Sequence, residues 1–228
     1  MADQAPQPDV TLPPGATQTA PRSALFSLTR EIAETLAIAL LVFLLVQVAW
    51  RNFRVEGSSM EPSIHDGQFL LVERLVYSEG FPARFLHNTI GRAGAGARLV
   101  DSIFHSPRRG EIIVFIPPSN PSKDYIKRVI GVAGDKVEIR QGRVYVNDRP
   151  LTETYVLPGG SLAWGPATVG PSQLFVLGDN RGASTDSRSF GMLPMDRVIG
   201  KAWLSFWPPW RLGFIRHSDL GAQITPKR

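Results

Sequence analysis

The sequence predicts a mainly β, antiparallel domain preceded by one N-terminal transmembrane helix. Two observations predict this fold class. An apolar run lies near the N-terminus, and seven later segments are rich in Val, Ile, Phe, Tyr and Leu with turn-forming residues at their ends. The chain has 228 residues, 43% of them hydrophobic, which is enough for one sizeable core plus an accessory segment. We expect a tail (1–29), an anchor (30–51), a folded domain (52–215) and a C-terminal tail (216–228).

The N-terminal segment is typical of a disordered tail. Residues 1–21 are rich in Pro, Ala, Thr and Gln and nearly lack bulky apolar groups. Such a segment cannot bury enough apolar surface to offset the entropy lost on ordering.

The apolar run 32–50 is about 19 residues long, which as a helix spans roughly 28 Å and matches a bilayer core. It carries one charge, Glu34, and residues 36–46 are apolar on every face, whereas a surface helix would show a polar stripe. A cleavable secretory signal is the alternative, but Gln47 occupies a position that needs a small residue. We therefore favour a retained anchor. The flanking arginines are balanced, so charge alone does not orient it.

Composition excludes several functional classes. The chain has no cysteine, which removes disulfides and thiolate catalysis. Its net charge is +5, yet the longest basic cluster is Arg108-Arg109, so we expect no nucleic-acid binding. The four histidines (65, 87, 105 and 217) lack the spacing of a helical zinc site, and we expect no metal.

The β-like segments follow one another after the anchor. A two-residue turn at Gln141-Gly142 predicts a hairpin between two of them. Residues 77–107 break the pattern with Gly and Ala, and we expect an excursion from the sheet with a short helix near 98–104. The predicted strands are 69–73, 111–116, 124–130, 136–140, 143–146, 173–177 and 198–206.

Three polar clusters fit poorly into a purely structural account. The first is GSSMEPSI, residues 57–64, in which Pro62 disfavours a helical Glu61 and so holds the serines in an extended or turn segment. Ser58 and Ser59 are both candidates for chemistry, and a simple turn is the alternative.

The second cluster is DYIKRVIGVAGD, residues 124–135. Alternation in a strand puts Lys127 and Arg128 on opposite faces, so we expect one of the two cations to be pressed against apolar surface. Only lysine can become a base, because burial can bring its pKa near neutrality whereas arginine stays charged. A lysine whose ammonium extends to solvent at a sheet edge is the alternative.

The third cluster is LGDNRGASTDSRSFG, residues 177–191, whose Gly, Asp, Asn and Ser content is typical of a tight, heavily hydrogen-bonded turn.

Taken in order after a membrane anchor, the three clusters resemble those of type I signal peptidases, which are membrane-bound Ser-Lys endopeptidases. The resemblance covers residues from about 32 to 210. It implies antiparallel sheets forming a partly open barrel.

The resemblance also assigns roles to residues. Ser59, directly before the methionine, matches the nucleophile, and Lys127 matches the general base. Ser184 matches the serine that orients the lysine, and Asp186 and Arg188 match a structural charged pair. Gly57 departs from members that have a serine there, so the oxyanion site would use the backbone N–H groups of Ser59 and Gly57. No cofactor is implied.

The implied substrates are signal peptides of exported preproteins, with small residues at the last and third-from-last positions, bound as an added strand. The implied location is the bacterial inner membrane, single-pass, with the tail in the cytoplasm and the folded domain on the periplasmic side. Lipid and a nearby secretion machinery are the expected partners. The segment 203–210, WLSFWPPW, is a candidate interfacial contact because Trp favours the headgroup zone.

Two other functions remain open from the sequence. A repressor-type self-cleaving Ser-Lys protein shares the chemistry, but it would be soluble and carry a DNA-binding region. A membrane-anchored β domain could also bind exported chains without cutting them.

Overall fold

The computed structural model describes residues 22–78, 85–86, 88–90, 94–157 and 163–224. It divides the chain into two compact units, Met1–Leu45 and Val46–Arg228. The predicted disorder of residues 1–21 lies outside the described residues.

The first helix, α1 (Arg22–Ala49), contains the apolar run up to Ala49, whereas Trp50 and Arg51, the last residues of the predicted anchor, lie in the first strand. Its segment Ser27–Ala49 has 23 residues with a mean hydropathy of 2.4, long and apolar enough to cross a membrane. Residues 22–29, which the sequence places in the tail, are helical. Arg30 Nε donates to Glu34 Oε1 at 2.7 Å, one turn along α1. This ion pair neutralises the one charge that the apolar run carries.

The second unit contains twelve strands in the described part of the chain, together with short helices. The strands are β1 (Trp50–Arg54), β2 (Phe69–Glu73), β3 (Ile112–Phe115), β4 (Tyr125–Val132), β5 (Lys136–Arg140), β6 (Arg143–Val146), β7 (Arg149–Pro150), β8 (Trp164–Thr168), β9 (Gln173–Leu177), β10 (Leu193–Pro194), β11 (Val198–Trp207) and β12 (Gly213–Phe214). The helices are α2 (Ala95–Ile103), α3 (Ser187–Phe190) and α4 (Gly221–Ile224).

The strands form two antiparallel sheets. The larger has the order β1-β2-β11-β3-β4-β9-β10 with β12 beside β11, and the smaller has the order β7-β6-β5-β8. Among the described strands, β1 and β10 end the larger sheet without pairing with each other, so the sheet stays open. The predicted fold class, mainly β and antiparallel with one N-terminal apolar helix, is confirmed.

Strand β3 shows how the larger sheet is covered on both faces. All four of its residues are buried. Ile112 and Val114 pack in one cluster with Met60 and Ile64 of the turn after β1, whereas Ile113 and Phe115 pack in another. Because side chains alternate in a strand, apolar groups lie on both sides of the sheet. The sheet centre is therefore dry enough to bury a lysine.

Some elements differ from the sequence predictions. The short strands β1 and β8 were not predicted, because three residues of each of these edge strands are exposed or polar and show no apolar alternation. Helix α2 begins earlier than the predicted 98–104 and packs through Val100. The rest of the excursion lies partly outside the described residues. Residues 216–224 pack on the domain, with Leu220 and Ile224 in its core.

Candidate active site

Ser58 and Ser59 lie in the turn that follows β1. Two apolar side chains of this turn, Met60 and Ile64, are completely buried. Ile64 N–H donates to the Met60 carbonyl at 2.9 Å, and Glu61 N–H donates to the Ser58 carbonyl at 3.1 Å. The buried pair anchors the turn in the core, so the two serines stand at a defined, half-buried position on its surface.

Lys127, the third residue of β4, contacts the second of these serines. Its Nζ lies 2.7 Å from Ser59 Oγ and 2.8 Å from the Ile126 carbonyl oxygen. The lysine is 4% exposed, and its Nζ stands 5.4 Å from the Tyr125 ring centroid. The structure thus brings together the two residues to which the resemblance gives the roles of nucleophile and base, and Lys127 contacts Ser59.

The environment of Lys127 shifts its acid–base equilibrium. Burial disfavours the ammonium and lowers the pKa of Lys127 to about 8, although Asp186 and Asp179 nearby act in the opposite direction. At pH 7 a pKa near 8 leaves roughly a tenth of the lysine neutral, whereas an ordinary lysine would be almost entirely charged. The neutral amine is the form that can accept a proton from Ser59.

The neighbouring cation, Arg128, is also buried, at 1% exposure. Its guanidinium forms two bonds to Asp179, Nη2 to Oδ2 at 2.6 Å and Nε to Oδ1 at 2.9 Å, and lies 3.9 Å from the Tyr155 ring centroid. The expectation that one of the two cations contacts apolar surface is therefore too narrow, because both are buried. The reason is Asp179, which the sequence did not identify as a partner although it lies in the third cluster.

Ser184 lies beside the nucleophile, but its predicted contact with Lys127 is not a hydrogen bond in this structure. Its Oγ is buried and has no hydrogen-bond partner among the described residues. A methyl group added at Gly178 would collide with both the Ser184 side chain and the Ser59 carbonyl. The missing side chain at Gly178 therefore lets the third cluster approach the nucleophile closely.

Asp186 and Arg188 form a charged pair behind the site. Arg188 Nε and Nη2 each donate to the Asp186 carboxylate at 2.8 Å. Asp186 also accepts from Gly178 N–H at 3.0 Å and caps α3 by accepting from Arg188 N–H. The fully buried carboxylate thus ties the ends of the third cluster together.

Asn180 links the third cluster directly to the nucleophile turn. Its backbone N–H donates to the Ser59 carbonyl at 3.0 Å, and its side-chain Nδ2 donates to the Ser58 carbonyl at 3.2 Å. The sequence did not single out this residue. Its position within the GDN segment of the third cluster was the available signal.

The two backbone groups expected at the oxyanion site differ in availability. Gly57 N–H donates to Asp66 Oδ1 at 2.8 Å, so this donor is already engaged. No hydrogen bond from Ser59 N–H is found within the described part of the chain. The geometry therefore favours Ser59 N–H and does not support the expectation for Gly57.

An open cleft of about 490 Å³ adjoins Ser59 and Lys127. One wall follows β1 into the nucleophile turn and the other is the start of β4. The apolar lining residues are Phe53, Val55, Leu70, Val114 and Ile126, and the charged ones at the rim are Arg54, Glu56, Lys123 and Asp124.

The described histidines have contacts other than Ser59 and Lys127. His217 is half-buried, and its Nδ1 accepts from Ile112 N–H at 3.1 Å. Burial is the main reason that its pKa falls to about 4. His65 and His105 lie near Glu61 and Glu111, and His87 is outside the described residues. No cluster of three or more metal-binding side chains occurs in the described segments.

The chain is similar to known proteins of one family. The family model described as signal peptidase, peptidase S26, matches residues 28–207. Probable signal peptidase I-2 of Synechocystis sp. is 33% identical over 191 residues, which cover 81% of this chain and 76% of the relative. Signal peptidase I of Bacillus caldolyticus is 33% identical over 171 residues, which cover 69% and 79% respectively.

A solved structure is also similar. The crystal structure of a signal peptidase I from Enterococcus faecalis V583 is 33% identical in sequence, with a TM-score of 0.38. The match covers 42% of this chain and 97% of that one.

Proposed function

The chain belongs to the signal peptidase family, peptidase S26, and we propose from this premise that it is a serine endopeptidase that cleaves signal peptides from exported preproteins. The observation that carries the proposal is the 2.7 Å contact between Lys127 Nζ and Ser59 Oγ in a buried environment. A hydroxyl needs an adjacent base to become a nucleophile, and a lysine with a lowered pKa is such a base.

The proposed mechanism has two stages. Neutral Lys127 takes the proton of Ser59 as its oxygen attacks the scissile carbonyl. The resulting ammonium gives that proton to the departing amine, which leaves an acyl-enzyme. Water then loses a proton to Lys127 and attacks the ester. As the signal peptide leaves with a new carboxyl group, the lysine ammonium returns that proton to Ser59 Oγ, which restores both residues.

Further groups have proposed supporting roles. Ser59 N–H stabilises the oxyanion of the tetrahedral intermediate, a contribution of about 3 to 4 kcal/mol for one such donor. Ser184 orients the lysine amine, and its buried, unbonded hydroxyl beside Gly178 is compatible with a bond that forms when Lys127 moves during turnover. Asp186 and Arg188 keep the loop that carries Ser184 in place.

The proposed substrate is an extended peptide with small residues at its last and third-from-last positions. It pairs as an added strand with the edge of β1 that no described strand occupies, and its small side chains enter the shallow groove lined by Val55 and Ile126.

We further propose that α1 anchors the protein in the bacterial inner membrane as a single pass, with its N-terminus in the cytoplasm and the β domain in the periplasm. Four apolar side chains of the β11–β12 region are more than half exposed: Trp207, Trp210, Leu212 and Phe214. Such side chains favour the lipid headgroup zone, where signal peptides are presented near the secretion machinery.

The test uses the full-length protein in detergent with a preprotein as substrate, and mass spectrometry of the products. Wild type is expected to release the signal peptide, Ser59→Ala to release none, and Ser58→Ala to retain turnover. The opposite result for the two serines contradicts the assignment of Ser59. Tight binding of the preprotein by wild type without any cleavage supports the non-catalytic alternative.

A further inference from the structure

Residues 55–68 form a closed loop that carries the nucleophile between β1 and β2. The ends of the loop are joined by backbone bonds: Val55 N–H donates to the Gln68 carbonyl at 2.8 Å, and Gly67 N–H donates to the Val55 carbonyl at 2.9 Å. The N–H and C=O of Val55 are thus both directed toward the segment that leads into β2.

The backbone N–H and C=O of the next residue, Glu56, point in the opposite direction. Successive residues of a strand direct their backbone groups to opposite edges. Continuing the geometry of β1 two residues beyond its end at Arg54 directs the N–H and C=O of Glu56 to the outer edge of β1, which has no neighbouring strand among the described residues. This edge borders the cleft, because Arg54, Glu56 and Gly57 line it together with the start of β4.

The orientation of the Glu56–Gly57 peptide is set by one side chain. Gly57 N–H donates to Asp66 Oδ1 at 2.8 Å, and a trans peptide has its C=O opposite its N–H. A bond that holds the N–H toward Asp66 therefore holds the Glu56 carbonyl outward, toward the cleft. Gly57 has a φ of 90°, a conformation that favours glycine, although open space surrounds the position of a Cβ.

We propose that Asp66 is a positioning residue for peptide binding, which it supports by fixing the Glu56 carbonyl as an acceptor for a backbone N–H of the substrate strand. Asp66 does not touch the reacting atoms, and it acts through the Glu56–Gly57 peptide. The inference rests on the proposed endopeptidase function and deepens it, because it names the backbone group that the carboxylate orients.

The experiment compares two substrates with the full-length protein in detergent. One is a decapeptide that spans a signal-peptide cleavage site, and the other is a single-residue acetyl-alanine nitrophenyl ester, which is too short to pair along β1. Asp66→Ala is expected to raise KM for the decapeptide roughly five- to tenfold, the usual effect of losing one neutral hydrogen bond, here the bond to the Glu56 carbonyl. Its kcat for the peptide and its kcat/KM for the ester should change less than about twofold.

Two variants separate this role from a merely structural one. Asp66→Asn keeps an oxygen acceptor for Gly57 N–H and should restore KM to within about threefold of wild type. Gly57→Ala keeps the carboxylate but strains the same peptide, so it should raise KM for the decapeptide and not for the ester. If Asp66→Ala does not fold by circular dichroism, Gly57→Ala carries the test. Asp148→Ala, which removes an exposed carboxylate paired with Lys136, is the matched control.

The outcomes distinguish the two proposals. Wild-type cleavage with an unchanged KM for Asp66→Ala overturns the role of Asp66 alone. Equal losses for peptide and ester also overturn it, since they would locate the effect at Ser59 or in the fold. Absence of any wild-type cleavage, with no acylation of Ser59, overturns the endopeptidase function and this inference together.

Discussion

Asp179 binds the guanidinium of Arg128 through both of its carboxylate oxygens. Arg128 is the residue that follows Lys127 in β4. Each partner of this pair is 1% exposed by side chain. The carboxylate has two effects, because it compensates a buried arginine and also raises the pKa of Lys127 against the effect of burial. A buried charge without its partner destabilises a fold strongly, so removing either member of this pair should lower the stability of the protein.

We expect Asp179→Ala to lower the free energy of unfolding by about 3 to 5 kcal/mol, because it leaves the Arg128 charge buried and unpaired. Denaturant titration followed by circular dichroism measures the change. Asp148→Ala removes a carboxylate from the exposed pair with Lys136 and should cause no measurable loss. Equal stability of the two variants would show that Arg128 finds another partner or reaches water.

The rate of cleavage should depend on pH through Lys127. Its pKa of about 8 predicts that kcat/KM rises with pH and reaches half its maximum near pH 8, because only the neutral amine accepts a proton. Initial rates between pH 6 and pH 9.5 measure the profile. Lys127→Arg should be inactive over this whole range, since a guanidinium stays protonated. Normal turnover by that variant would exclude Lys127 as the base.

Lys127 should also make stability depend on pH. The folded pKa of about 8 lies below the ordinary value of 10.5, so the unfolded chain binds more protons between these limits. The free energy of unfolding of wild type should therefore rise, relative to Lys127→Met, by up to about 3 kcal/mol from pH 8 to pH 10.5. Parallel denaturant titrations of the two proteins test this. A constant difference between them would mean that the lysine is not desolvated.

His217 should weaken the fold in acid. Its folded pKa of about 4 lies below the ordinary 6.5, so protons bind preferentially to the unfolded chain as the pH falls between these values. The free energy of unfolding should fall by up to about 3 kcal/mol across this window. In His217→Asn the amide oxygen can still accept from Ile112 N–H, and this contribution to the pH dependence should vanish. An unchanged pH dependence would assign the acid loss to other groups.

A methyl group at Gly178 should disable the site. Gly178→Ala places a Cβ against the Ser184 side chain and the Ser59 carbonyl, so we expect turnover to fall at least about a hundredfold, since small misplacements of reacting groups have effects of this size. Gly182→Ala is the matched control in the same loop, where the nearest atom to a new Cβ is Asn180 Oδ1 at 3.9 Å. Preprotein cleavage and thermal melting of both variants give the comparison. Normal turnover by Gly178→Ala would mean that the loop carrying Ser184 can shift without displacing the reacting groups.

Much of the fold was predictable because its signals are local. Strands β2, β5, β6 and β9 coincide with the predicted segments, since β-branched and aromatic runs bounded by turn residues mark them in the sequence. The edge strands β1 and β8 carry no such signal, because exposed backbone edges do not require alternating apolar residues. The packing of Leu220 and Ile224 was equally hidden, since it depends on contacts far along the chain.

The candidate site, like the fold, was predictable only where its signals are local. The sequence by itself determined an apolar helix, an antiparallel β domain and the three polar clusters, because composition and short-range spacing encode these features. Only the tertiary structure decided that Lys127 is buried against Ser59, that Arg128 is buried too because Asp179 pairs with it, and that Gly57 N–H is taken by Asp66. Burial, pKa and hydrogen-bond partners depend on which distant segments pack together, and no local pattern specifies that.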